Sequence, residues 1–326
     1  MIVNDYFTAL PAGRNAIILL HQYRQLLIKN LIGYLTAIQS SSLDIDISFL
    51  IKKYETLDIK ENFSPAIYAL FSKLIKVSSD GDVPPIVDVL HQLSILKEED
   101  IHNSEFMVST ILTEPWENDF VNKIRTETIP SENDQKTIIL PVINPDLSEL
   151  TKAYTDVFEF IGKIDLEFYQ EILCYVTRLK LFNGKGLTAT TSSSVFGAVY
   201  LNLPMQNEDM EPYFCEHIIH ETSHLQLEIL FAFDKIVLNK ETEKFKSPLR
   251  TDPRPILGIF HATFVLSRMV RLFKRIVKQR PGNEYVKKLE LFRRQFDQGL
   301  ETVEKNAILT EKGKLILNSF TKAAEI

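Results

Sequence analysis

Apolar residues return every three or four positions through the first third of the chain. Ile17, Leu20, Tyr23, Leu27, Leu31 and Leu35 set the pattern over 15–37. The segments 47–56, 64–77 and 85–96 repeat it, so four helices are predicted there. Residues 78–82, Ser-Ser-Asp-Gly-Asp, have turn chemistry and predict a loop. From 115 to 135 the chain is polar and aperiodic, and the cluster 130–134 marks a candidate boundary. The period then changes. A short β-rich run covers 136–143, and a helix is predicted over 146–162, after Pro145. Residues 165–181 read as helix in their first half and as strand from 176 to 182. A turn follows at 183–186, then strands at 187–191 and 195–203. After Pro204 the pattern is helical to the end. Helices, a small sheet, then helices again describe an α+β chain, mostly α, with strands and helices segregated.

Composition narrows the function classes. The 326 residues are 45% hydrophobic and 25% charged, the balance of a chain able to bury a sizeable core. A net charge of -6 argues against a nucleic-acid partner. The basic run 268–280 reads as the wet face of a helix. Cys174 and Cys215 form no Cys-x-x-Cys pair and are expected as buried thiols in a reducing compartment. Residues 16–20, the longest early apolar run, are too short for a signal-peptide core. No apolar stretch reads as a membrane span. The expected location is cytoplasmic, with no membrane partner. Nothing in the sequence addresses oligomeric state.

One segment carries chemistry. His220-Glu221-Thr222-Ser223-His224 has the pattern H-E-x-x-H. On a helix, positions four apart lie one above the other, so both imidazoles can face one divalent metal ion. With 7 histidines in the chain, chance gives the pattern in about one such chain in a hundred. The segment is therefore expected as a zincin-like metal-binding helix. His217 lies one turn earlier. It reads either as a contact to a ligand or substrate, or as a hydrogen-bonded histidine without a special role. In zinc peptidases the glutamate after the first histidine is the general base, a part that Glu221 would take. That chemistry needs a third ligand, and Leu227 and Leu230 stand where the longer H-E-x-x-H-x-x-G-x-x-H pattern has Gly and His. Glu241 and Glu243 are at a plausible distance but lie in a charged stretch that favours a solvated turn.

Downstream, Asp252 suits a helix N-cap and Pro253 a first helical position, with Leu257, His261, Phe264 and Arg268 along one face. A histidine on such a face is usually a core residue. Beside a metal-binding helix, His261 becomes the candidate third ligand.

His220-Glu221-x-x-His224, Ser247-Pro248-x-Arg250-x-Asp252-Pro253-Arg254-Pro255 and Gly258-x-x-His261 together resemble the H-E-x-x-H-motif peptide-modification family. Its members are described as iron(II)- and 2-oxoglutarate-dependent peptide β-hydroxylases acting on ribosomally synthesised precursor peptides. The resemblance spans roughly 194–275. Leu249 departs from it, at a position where the family has tryptophan. The first 130 residues carry no resemblance.

The resemblance implies iron(II) held by His220, His224 and His261, with Asp252 as the carboxylate fallback. The familiar set is two histidines and a carboxylate. It also implies 2-oxoglutarate, whose far carboxylate calls for an arginine, with Arg250, Arg254 and Arg268 as candidates. Dioxygen would be the co-substrate, and a precursor peptide the substrate. Glu221 would then orient a ligand or an iron-bound water, beside His217. Two domains follow: a helical region, 1–130, serving as a lid, for leader-peptide recognition or to complete the core, and a metal-binding catalytic domain, 131–326. The competing readings are a zinc metallopeptidase with Glu221 as base and a non-catalytic metal-stabilised scaffold.

Overall fold

In the computed structural model, residues 4–41, 45–102, 105–126, 137–204 and 208–325 are described. Twelve helices occur among them: α1 (Ala16–Gln39), α2 (Ser48–Glu55), α3 (Pro65–Asp80), α4 (Val83–Ile95), α5 (Glu98–Ile101), α6 (Asn118–Thr126), α7 (Leu147–Ile164), α8 (Leu166–Tyr175), α9 (Met210–Phe233), α10 (Ile256–Gln279), α11 (Asn283–Asn306) and α12 (Glu311–Glu325). The strands are β1 (Met107–Thr110), β2 (Ile138–Pro141), β3 (Arg178–Lys185), β4 (Ala189–Thr190), β5 (Ala198–Asn202), β6 (Lys244–Phe245) and β7 (Arg254–Pro255). The protein is mostly helical with a small mixed sheet. Two compact units interleave along the chain: Met1–Leu19, Ser148–Tyr175 and Pro204–Ile326 form one, Leu20–Leu147 and Val176–Leu203 the other. The boundary read near 130 lies outside the described residues.

The second unit holds most of α1, then α2 to α6 and the five-stranded sheet. Leu20, Tyr23, Leu27, Leu31 and Leu35 of α1 are buried as their spacing predicts, whereas Ile17 is exposed. Helix α3 runs through the expected loop to Asp80, because Gly81 takes the left-handed conformation (φ 74°) that caps it and α4 starts two residues later. The polar stretch after 115 is not irregular: Phe120, Val121 and Ile124 give α6 a buried stripe. Strands β1, β3 and β5 are parallel, while β2 and β4 are antiparallel to β3 and β5. Central β3 is buried from Arg178 to Phe182. Its two buried cations alternate along the strand and meet carboxylates: Lys180 Nζ lies 2.5 Å from Glu114 and 3.3 Å from Glu117, and Arg178 Nε lies 3.7 Å from Glu114. Pairing of β2 with β3 requires glycine at 184, since a Cβ there would sit 1.9 Å from the Ile138 carbonyl oxygen. Gly184→Val is expected to unzip this pair at a cost of about 3 kcal/mol. Hydrogen exchange at the amides of Ile138, Ile139 and Leu140, accelerated in the variant, checks it.

The first unit is a helical assembly around α10, which packs against α9, α11 and α12. Helix α10 has the length and apolarity of a membrane span, contrary to the expectation that no stretch does, but 78% of that window is buried within the protein. It is a core helix. Phe260 and Phe264 meet Phe320 of α12, and Phe273 meets Phe292 of α11 edge-on. The basic run that begins at Arg268 is not a wet face throughout, because Arg268 and Arg271 are buried in ion pairs. Of the two thiols, Cys215 is buried and Cys174 half-buried. The chain between α9 and α10 is not helical. It contains the β6–β7 hairpin, so Asp252 and Pro253 do not open α10. Arg254 precedes Pro255, and a residue before proline is driven to extended backbone. The helix therefore begins at Ile256.

Candidate metal centre

Helix α9 starts where the Asp209 carboxylate accepts the Glu211 backbone N–H, and it continues for 24 residues. Its buried residues, among them Phe214, Ile218, Ile219, Leu225 and Ile229, anchor it on several sides. Tyr213, His217, His220 and His224 follow one another at intervals of four, three and four, a single stripe. The four side chains differ in burial: Tyr213 is buried, and the three histidines are half-buried.

The two motif histidines meet. His220 Nε2 and His224 Nε2 are 3.1 Å apart, with ring centroids separated by 4.9 Å. Two imidazole nitrogens each about 2.1 Å from one ion subtend roughly 95° at that separation, the angle of adjacent ligands on an octahedral centre. His261 reaches the same place from α10. Its ring is nearly parallel to those of His224 and Phe231, at 5.9 and 4.9 Å between centroids. Burial pushes His220 and His261 down to about 4, with His217 adding to the effect at His220. Burial, then His220 and His261, hold His224 well below the ordinary imidazole value. All three are therefore neutral at neutral pH, the form that binds metal. The donor set fits a divalent transition ion at two positions. Among the described residues no group of three or more metal-binding side chains is already assembled. His261 comes into a common set only if its ring shifts from its stack on Phe231.

Glu221 is 3% exposed, and burial alone pushes its carboxyl up to about 8. His217 packs edge-on against Tyr213 at 4.3 Å, and burial followed by the Lys288 charge lowers it to about 4. Lys288 itself pairs with Glu216 at 2.5 Å.

The remaining sequence candidates are dispersed. Glu241 and Glu243 are exposed, as a solvated turn requires, and Glu243 accepts from Asn239 at 3.3 Å. Arg250 is exposed on the loop that joins β6 to β7. Arg254, in β7, pairs through Nε with Asp252 at 2.8 Å, so the fallback carboxylate is engaged by an arginine rather than by a helix terminus. Leu249 is 41% exposed.

Arg268 corrects the sequence reading. It is fully buried, and its guanidinium is matched by protein: Nη2 donates to Glu171, Nε to Ser223 Oγ at 2.8 Å, and Nη1 to the Ala9 carbonyl at 3.2 Å. It is not free for a cofactor carboxylate. Its bond to Ser223, the residue before His224, makes it a support for α9. Sequence reasoning missed this network, and also Tyr213 and Phe231, which pack on the outer histidines. The spacing of four from Tyr213 to His217 was the available signal for the first. Glu171 lies 97 positions from Arg268, beyond the reach of any local pattern.

No protein-family profile matches the chain, and no curated protein matches it.

Proposed function

We propose that the protein is an iron(II)- and 2-oxoglutarate-dependent hydroxylase acting at Cβ of residues in a ribosomally synthesised precursor peptide. The observation that carries this reading is the meeting of His220 and His224 Nε2 at 3.1 Å, with His261 stacked beside them. Their sequence frame is the one in which the resemblance lies. Iron(II), bound with 2-oxoglutarate and dioxygen, supplies the oxidising chemistry.

The chain's own groups have distinct tasks. His220 and His224 offer neutral Nε2 donors on one rigid helix, so little is lost in ordering them. His261 offers the third nitrogen once its ring turns from Phe231. Glu221, buried on the turn between the two histidines, can hold a hydrogen bond that orients a bound ligand. Arg250 and Arg254 remain the two candidates for the far carboxylate of 2-oxoglutarate. Arg254 is the better placed, because its hairpin leads directly into the helix of His261. Binding there requires it to leave Asp252.

The test is turnover of the iron-loaded protein with any short precursor peptide that its coding neighbourhood supplies. Succinate formation and a peptide mass gain of one oxygen are expected. Arg254→Leu is expected to raise the KM for 2-oxoglutarate by roughly tenfold or more, the worth of one hydrogen bond to a charged group. No consumption of 2-oxoglutarate with that peptide overturns the reading.

A zinc metallopeptidase is the second reading. Glu221 favours it, as a buried carboxyl of raised proton affinity beside both histidines. Peptide-bond cleavage that is lost on Glu221→Gln selects it.

A further inference from the structure

The first unit contains a cavity of about 560 Å³ lined by the segment Asp5–Leu19 together with residues of α8, α9, α10 and α12. Gln226 of α9 lines it. Gln226 is two positions after His224, roughly 200° around the helix, so this cavity lies away from the histidine stripe. Gln226 is fully buried. Its Oε1 accepts the Tyr175 hydroxyl, and its Nε2 has no partner. A buried amide N–H with nothing to donate to is costly, and an acceptor in the adjoining cavity removes that cost.

The charges on the lining restrict what that acceptor belongs to. Asp165 takes Arg271 Nε at 2.7 Å and Arg275 Nη1 at 2.8 Å, and Glu167 takes Arg271 Nη2 at 2.7 Å. These four side chains cancel. Asp5 and Lys322 are left, one of each sign, and among the described residues neither has an ion-pair partner. A wall of zero net charge with one spare anion and one spare cation does not favour a phosphate or a dicarboxylate. It suits a zwitterion. Leu10, Pro11, Leu19 and Leu166 supply an apolar portion of the lining, and the volume falls in the range of small-molecule sites.

We propose that this cavity binds a free α-amino acid with an apolar side chain. Its carboxylate accepts from Gln226 Nε2 and faces Lys322, its ammonium faces Asp5, and its side chain lies against the leucines. The site does not depend on what His220 and His224 hold. Because one wall is the N-terminal segment, an occupant ties that segment to the helices and stabilises the folded unit.

Calorimetric titration of the full chain with L-leucine, L-methionine and L-phenylalanine tests this. At least one is expected to bind with a Kd at or below about 1 mM. For that amino acid, the amide, which lacks the carboxylate, and the deaminated acid, which lacks the ammonium, are each expected to bind roughly tenfold more weakly. Gln226→Leu keeps the volume and removes the donor, and Lys322→Glu reverses a charge on the surface. Each is expected to weaken binding by a similar factor while far-UV dichroism is unchanged. If Gln226→Leu fails to fold, Lys322→Glu carries the test. Heat from none of the three amino acids, or binding that survives Lys322→Glu and loss of the ligand's carboxylate unchanged, overturns the proposal.

Discussion

Replacing His224 by alanine is expected to lower the affinity for a divalent transition ion by more than about a hundredfold, beyond the loss typical of an outer partner of a ligand. The expectation follows from the pairing of two Nε2 atoms 3.1 Å apart on successive turns of α9. With one removed, only one member of the adjoining pair remains, and the chelate advantage of two preplaced donors is gone. His220→Ala is expected to do the same. His261→Ala is expected to lose less, because its ring is stacked on Phe231 and must move to contribute. His217→Ala is the internal control. His217 lies in the same stripe and is neutral like the others, but its ring rests on Tyr213 at 4.3 Å. Its loss is expected to change affinity by less than a few-fold. Equilibrium dialysis with iron(II) without oxygen, and with cobalt(II) as a coloured substitute, measures all four. A His224→Ala protein that holds metal as well as its parent removes the centre, and with it both enzymatic readings.

The stripe of α9 was legible because its information is local: four residues on one turn-and-turn-again pattern place two imidazoles together whatever the rest of the chain does. The helices of the second unit were legible for the same reason, since Leu20 to Leu35 recur at the helical period and are buried. Errors arose where a local rule met a stronger one. Asp252 and Pro253 fit a helix start, but Pro255 two residues later forces Arg254 into extended backbone and delays the helix to Ile256. Residues 78–82 hold good turn formers, yet the helix absorbs Ser78 to Asp80, and Gly81 alone makes the turn. Helix α6 is only nine residues long, with three apolar positions, too few to stand out from a polar background. Among the strands, β1 was missed, β6 and β7 fell where helix was expected, and β3 runs on to Lys185 through the expected turn. Parallel pairing of β1 with β3 joins residues about 70 positions apart and leaves no mark on the short strand itself. Arg268 is the case with chemical consequences. Its place on the face of His261 made it resemble a cofactor ligand, and only the fold brings Glu171 and the Ala9 carbonyl against it.

Removing Glu171 is accordingly expected to have the largest effect on stability of any single side-chain change outside the hydrophobic core. Glu171→Leu leaves the Arg268 guanidinium buried beside an apolar group, at a cost of about 3–5 kcal/mol. Burial pushes the Glu171 carboxyl up and the Arg268 guanidinium down, each against the attraction of the other. Both directions mean that desolvation opposes the pair, so its net worth is far smaller than the cost of breaking it. The double variant Glu171→Leu/Arg268→Met separates the two quantities. It is expected to be more stable than the worse single variant, with a coupling energy of about 2 kcal/mol or more. It does not recover fully, because the Ala12 N–H loses Glu171 Oε2 and the Ala9 carbonyl loses Arg268 Nη1. Urea denaturation of the four proteins gives the cycle. A Glu171→Leu cost below about 1 kcal/mol means that the pair is not buried as described. The same variants reach the metal centre through Ser223. When Arg268 Nε no longer donates to that hydroxyl, the turn of α9 carrying His224 loses a tether. Weaker metal binding in Arg268→Met, with His220 and His224 intact, is the signature that separates a support for the helix from a ligand of the cofactor.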